Sequence, residues 1–240
     1  MGLVATWVGS VLGAGCDTSL AELDAIYSRP GDGPITCGIS VDNKNTVSND
    51  AIAVGLDKAQ AEELVVHLYS HKPAGTVDES TIEQVIASAA DRDLPFVTYR
   101  ELLEPTGAHG LALSFDDHDI VGWHGLLPLF ERYRARVTFF ISAFEGLSAE
   151  DRGLLHELAA AGHDIEYHST WHEDAEAYAA AAGVEQYVLD DIRPGLAAMR
   201  ADGFDPQVFA YPFGARTAAT DAAVLAELPL VRGSYFNCPR

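Results

Sequence analysis

Short apolar runs alternate with amphipathic stretches along most of this chain. From residue 61 onward, Leu64 to Tyr69, Phe96 to Tyr99, Leu111 to Phe115, Arg136 to Ser142, Asp164 to His168, Val208 to Tyr211 and Leu230 to Phe236 read as strands. Between them, Glu79 to Ala90, Trp123 to Tyr133, Ala149 to Ala161, Val184 to Ala201 and Ala218 to Glu227 carry apolar residues at helical spacing. Thr76 or Asp78 is placed to cap the first of these helices, and Gly162 to stop the third. Before residue 61 the pattern is less regular: Ile35 to Val41 reads as a strand and Asp42 to Asp50 as a polar loop.

Repeated strand–helix units with few hairpin signals predict an α/β fold with a parallel sheet, flat or closed into a barrel. No linker divides the chain, so residues 1–240 read as one domain. In either architecture, chemistry gathers where the strands end at their carboxyl side.

Two polar groups sit at such ends. Ser114-Phe115-Asp116-Asp117 follows Leu111-Ala112-Leu113, and His168-Ser169-Thr170-Trp171-His172 follows Ile165-Glu166-Tyr167. One carboxylate and two imidazoles suit a divalent ion that keeps open positions for water and substrate, which points to His168, His172 and one of Asp116 and Asp117. The other carboxylate is then free to act on that water. Each element has a blander reading: Asp116-Asp117 could cap a helix, and two histidines four apart arise by chance among nine. His118, Asp119 and His124 read as a polar loop, while Glu166 shares strand parity with His168 and is a candidate to support it.

Together the segments resemble the polysaccharide deacetylase family of metal-dependent carbohydrate esterases. Ser114-Phe115-Asp116-Asp117 resembles its Thr-Phe-Asp-Asp motif, and His168-Ser169-Thr170-Trp171-His172 fits its His-(Ser/Thr)-x-x-His motif. Ala210-Tyr211-Pro212-Phe213 is similar to its Arg-x-Pro-Tyr motif, with Ala in place of Arg and Phe in place of Tyr. Val137-Thr138-Phe139-Phe140 and Gly162-His163-Asp164-Ile165 also resemble family segments. The closing Leu-x-His motif should follow residue 236, yet its likeness occurs at the front, in Val65-Val66-His67-Leu68-Tyr69-Ser70-His71 and then Leu94 to Leu102.

The resemblance therefore implies an irregular (β/α) barrel in circularly permuted order. Residues 1–104 would match the C-terminal part of the usual domain and 105–240 its N-terminal part; an N-terminal extension with an accidental histidine is the alternative. It implies removal of acetyl groups from N- or O-acetylated oligo- or polysaccharide, with Zn²⁺ on Asp117, His168 and His172. Asp116 would be the general base, the Phe213 N–H the oxyanion donor and His71 the general acid, with His67 a structural neighbour deeper in the barrel. Ala210 removes the arginine expected to orient Asp116, unless Arg216 or another residue substitutes, and the family's fourth motif has no visible counterpart. A weakly catalytic carbohydrate-binding relative and a hydrolase of a small cyclic amide or ureide are the competing functions.

Composition narrows the partners. The formal charge is −21, from 36 acidic and 15 basic residues, which disfavours nucleic acid and anionic membrane. Only Lys44, Lys58 and Lys72 are lysines, which would suit a high-salt source or a merely acidic surface. Cys16, Cys37 and Cys238 have no metal-like spacing and read as buried thiols. The apolar opening from Met1 to Cys16 lacks the basic residues of a signal peptide, so a cytoplasmic location is favoured over secretion.

Overall fold

The computed structural model describes residues 19–45, 47–104 and 108–238. The opening run Met1 to Cys16 lies outside them. The strands are β1 (Tyr27–Ser28), β2 (Ile35–Ser40), β3 (Val65–Ser70), β4 (Gly110–Asp117), β5 (Thr138–Ile141), β6 (Asp164–Tyr167), β7 (Val208–Ala210) and β8 (Leu230–Ser234). Strands β4 to β8 are neighbours in chain order; β8 then pairs with β2, β2 with β3, and β3 with β4. The result is a closed, all-parallel barrel of seven strands with helices outside. The short β1 adds to β3 antiparallel, Tyr27 opposite Val66.

Strand alternation sorts the side chains. On β4, Leu111, Leu113 and Phe115 join the large apolar shell between barrel and helices, while Ala112 belongs to a smaller cluster with Phe140, Val208, Ala210 and Leu230. That second cluster is the barrel interior. Asp116, Glu166, Arg232 and His67 share its parity and are buried.

Tyr99 reaches the same cluster from below. The expected strand Phe96 to Tyr99 forms only a bridge, Phe96 to Leu111, before turning under the barrel. Tyr99 donates its N–H to Thr138 Oγ1 at 3.0 Å and sets its hydroxyl 3.1 Å from His67 Nδ1. Gly110 makes the crossing possible: it has φ +150°, and a Cβ there would lie 2.1 Å from Pro95 O. At this lower end Arg100 bonds both Asp164 and Glu166 at 3.2 Å.

Several boundaries differ from the sequence expectation. Helix Asn49–Glu62 lies partly in the expected polar loop; Ser48 caps it, and Ile52, Leu56 and Ala59 bury one face. The single helix expected over Trp123 to Tyr133 is two, Ile120–Gly125 and Leu127–Tyr133, with Pro128 in the first turn of the second. The helix expected from Val184 to Ala201 contains a π-helical segment, Val188–Ile192. Cys37 and Cys238 are not free thiols but a disulfide, with Cα atoms 6.2 Å apart; Cys16 is outside the described residues. Because Cys37 of β2 and Cys238 are joined, the order in which the strands are connected should be open to change. Joining residue 240 to residue 1 and opening the chain between Glu104 and Ala108 should give a soluble barrel with cooperative unfolding. Aggregation or non-cooperative melting of this relinked chain would show that the present connectivity is required.

Candidate active site

The upper, carboxyl-terminal strand ends surround a cleft of about 530 Å³, a volume suited to a small ligand. Asp116, Asp117, His168, His172, His71 and Phe213 all line it, so the structure brings these six sequence-predicted residues to one place. The route differs for each. Asp116 and His168 point inward by strand parity. Asp117, one step on, would face the helices, but its backbone has φ +88° and turns the carboxylate back towards the histidines.

His172 and Ser169 also have positive φ, +58° and +82°. Their turn is held from outside by Asp191, whose Oδ1 accepts from Ser169 Oγ and from the Trp171 N–H, both at 2.8 Å. Ser169 Oγ in turn accepts the His172 N–H at 2.7 Å. Asp191 belongs to the π-helical segment, so that segment supplies the brace. No sequence signal marked it.

Asp117, His168 and His172 each offer a ligand atom within 4.8 Å of the others. Asp117 Oδ1 lies 3.1 Å from His172 Nε2 and 3.6 Å from His168 Nε2, yet it is buried with no donor aligned on it. His168 sets its other nitrogen, Nδ1, 2.8 Å from Ala210 O, which turns Nε2 to the cleft. Burial would raise the Asp117 pKa, but the two imidazoles outweigh it and hold the carboxyl far below the carboxylate range. One orphaned carboxylate oxygen and two directed imidazole nitrogens fit a divalent ion.

Asp116 Oδ2 is bonded by Arg232 Nη2. This arginine, on β8, is fully buried, with its guanidinium carbon 4.5 Å from the Tyr69 ring centre and 5.2 Å from that of Phe140. Ala210 on β7 is its register partner. The arginine absent from position 210 is thus supplied one strand over, at the same height. The suggested substitute, Arg216, is bonded to Asp221 instead. Gly38 leaves the room required, since a Cβ there would press on Tyr69 at 3.0 Å. The sequence signal for Arg232 was a charge inside a strand whose neighbours are apolar.

His71 is held by a residue read only as loop. Its Nδ1 lies 2.5 Å from Asp42 Oδ2, and Asp42 Oδ1 accepts from Ser70 Oγ at 2.8 Å and from Thr76 Oγ1 at 3.1 Å. Burial would lower the His71 pKa, but the Asp42 hydrogen bond and the charges of Asp116 and Asp42 outweigh it and raise the pKa above the usual imidazole value. His67, in contrast, lies fully buried between Ser28 and Tyr99, and burial pushes its pKa down to about 3. Glu166 is not beside the site. Its Oε2 accepts the N–H groups of Gln207 and Val208 at 2.6 and 2.7 Å, below the β7 strand. Burial and Asp164 raise its pKa. His118 sets Nδ1 3.0 Å from Ser142 Oγ, and His124 pairs with Glu157 on the outside.

The profile of the polysaccharide deacetylase family matches residues 104–231. The chain belongs to that family, whose members act on acetylated carbohydrate. No curated protein matches the sequence. Among solved structures, IcaB from Ammonifex degensii has the same fold, at 20% identity and TM-score 0.57, over 68% of this chain and 80% of that one. The Eubacterium rectale peptidoglycan N-acetylglucosamine deacetylase catalytic domain aligns with TM-score 0.39 at 23% identity, over 50% of this chain and 57% of that one. Streptococcus pyogenes PplD in complex with acetate aligns with TM-score 0.44 at 17% identity, over 81% and 79%.

The relocated arginine makes a direct test. Arg232→Met leaves a buried carboxylate without its cation, which costs about 3–5 kcal/mol, and should lower kcat. Adding Ala210→Arg to that variant should recover part of both losses, read by thermal melting and acetate release. A double variant no better than Arg232→Met would show that the cation must stand on β8.

Proposed function

We propose that this protein is a metal-dependent hydrolase, with Zn²⁺ as the ion, that removes acetyl groups from N- or O-acetylated carbohydrate. The convergence of Asp117, His168 and His172 around the orphaned oxygen of Asp117 carries the reading. A divalent ion held there would supply a Lewis acid and a bound water whose pKa falls from 15.7 towards about 7. Asp116, fixed by Arg232, takes the proton of the attacking water as general base. The Phe213 N–H, in a turn where that residue has φ +58°, donates to the acetyl oxygen as negative charge develops on it. His71 gives its Nε2 proton to the departing amine or alcohol while Asp42 holds Nδ1. The binding-only reading rested on the missing arginine at position 210, and Arg232 removes that motive.

We propose also that the domain is a rotated member of its family. The family profile ends at residue 231, while the strands that complete the barrel, β2 and β3, come from the front of the chain. His71 directly follows β3, at the end of the segment that resembles the closing motif of the usual order. The Cys37–Cys238 disulfide further supports an oxidising compartment in place of the cytoplasm expected from the sequence.

Metal analysis and turnover together test the division of roles. His168→Ala and His172→Ala should abolish stoichiometric Zn²⁺ binding, because two ligands hold the ion poorly. Asp116→Asn should keep the metal and lose acetate release from N-acetylglucosamine oligomers. Equal metal loss in Asp116→Asn and His168→Ala would defeat the assignment, and turnover of allantoin instead would move the substrate to cyclic ureides.

The acid role predicts a pH dependence. His71 must be protonated, and its raised pKa keeps it so to higher pH, so kcat should fall as pH rises through that value. Asp42→Asn removes the largest support for the charged imidazole and should shift this alkaline limb to lower pH. His71→Ala should cut kcat by about 10²–10⁴-fold with metal content unchanged. An alkaline limb that stays in place in Asp42→Asn would take His71 out of the acid role.

A further inference from the structure

Lysine is scarce here, three residues against 36 acidic ones. Lys58 is paired with Asp24 at 2.7 Å. The other two, Lys44 and Lys72, both line the active-site cleft. Both are exposed, and among the described residues neither has an ion-pair partner.

Their placement follows from the backbone around the proposed acid. Lys72 succeeds His71 directly, and Lys44 stands two residues beyond Asp42. The N–H groups of Gly75, Thr76 and Val77 close on Lys72 O at 3.1, 2.9 and 3.2 Å. Thr76 Oγ1 accepts the Lys72 N–H at 3.0 Å and donates to Asp42 Oδ1 at 3.1 Å. The Asn43 N–H donates to Thr76 O at 3.0 Å, so the two lysine-bearing turns are laced together through Asp42 and Thr76. The Lys72 stem lies over Gly75, where a Cβ would come within 2.7 Å of its Cγ and 2.8 Å of its Cδ.

The remaining charges of the cleft are already matched. Asp116 faces Arg232, and Asp117 belongs to the histidine cluster. Among the described residues, two positive charges are therefore uncompensated on the His71 side of the cleft, in a protein of net charge −21. A neutral sugar would leave both without a partner. Phe213 and Phe236, 66% and 78% exposed, line the same cleft and offer apolar faces for a sugar ring.

We propose that the preferred substrate is an acetylated saccharide carrying an anionic group on its leaving-group side, bound by Lys44 and Lys72. The proposal rests on His71 being the acid that faces the leaving group. Ammonium groups act as point charges and accept carboxylate or phosphate alike, so the shared chemistry is an anion beside the acetylated unit.

The test compares three oligosaccharides of equal length: neutral N-acetylglucosamine, N-acetylglucosamine alternating with glucuronate, and a phosphate-bearing N-acetylglucosamine oligomer. Acetate release gives kcat/KM, and calorimetry on the metal-loaded protein gives binding without turnover. The native protein should favour one anionic oligomer about ten-fold, the size expected of two partly exposed ion pairs. Which oligomer it favours separates carboxylate from phosphate. Lys44→Gln/Lys72→Gln should bring the ratio to within about two-fold, while Lys44→Arg/Lys72→Arg should keep it. Equal binding of neutral and anionic oligomers, or a preference that survives in the Gln pair, would overturn the proposal. Anion preference in binding with no acetate released from any oligomer would leave this site standing and defeat the deacetylase reading instead.

Discussion

A carboxylate taken out of water needs a cation against it, and at the centre of this barrel the pair is Asp116 and Arg232. The surrounding strands are arranged to accommodate that pair. Tyr69 from β3 and Phe140 from β5 flank the guanidinium, and Gly38 on β2 leaves room for Tyr69. Ala210 on β7, opposite Arg232 in register, has no long side chain to compete for the space. Charge placement here is a property of the closed sheet rather than of one motif. An inward position on one strand can be served from the next strand at the same height, because register partners point the same way.

The same geometry explains what was readable in the sequence. Strands β2 to β8 stood out as apolar runs except at their edges, and the inward parity of Asp116 and His168 followed from counting by two. Phe96 to Tyr99 has the composition of a strand, yet its tyrosine is needed below the barrel, where its hydroxyl meets His67. Propensity cannot report that competition. Helix Asn49–Glu62 was readable in principle, from the Ser48 cap and the spacing of Ile52, Leu56 and Ala59, but its start was masked by a polar stretch.

Site residues divide in a similar way. Asp117, His168 and His172 were visible because they stand at strand ends in a recognisable spacing. Asp42 and Asp191 were not, since each acts on a residue more than fifteen positions away, through contacts that only the fold creates. The positive φ at Asp117 and His172 leaves no compositional trace either, because neither residue is a glycine. Such conformations persist when surrounding bonds over-determine them, and the Asp191–Ser169–His172 chain does this for the second histidine.

The disulfide between Cys37 and Cys238 spans 201 positions of sequence, and this separation makes most of the chain a covalent ring. Closing a loop of that length removes about 5 kcal/mol of entropy from the unfolded ensemble on the chain-entropy account. A mechanical consequence comes with it. Tension applied across these two residues is borne by the sulfur bond, and the arc between them, which contains every strand from β3 to β8, remains slack. The barrel is thereby shielded from any pull that enters through those two points.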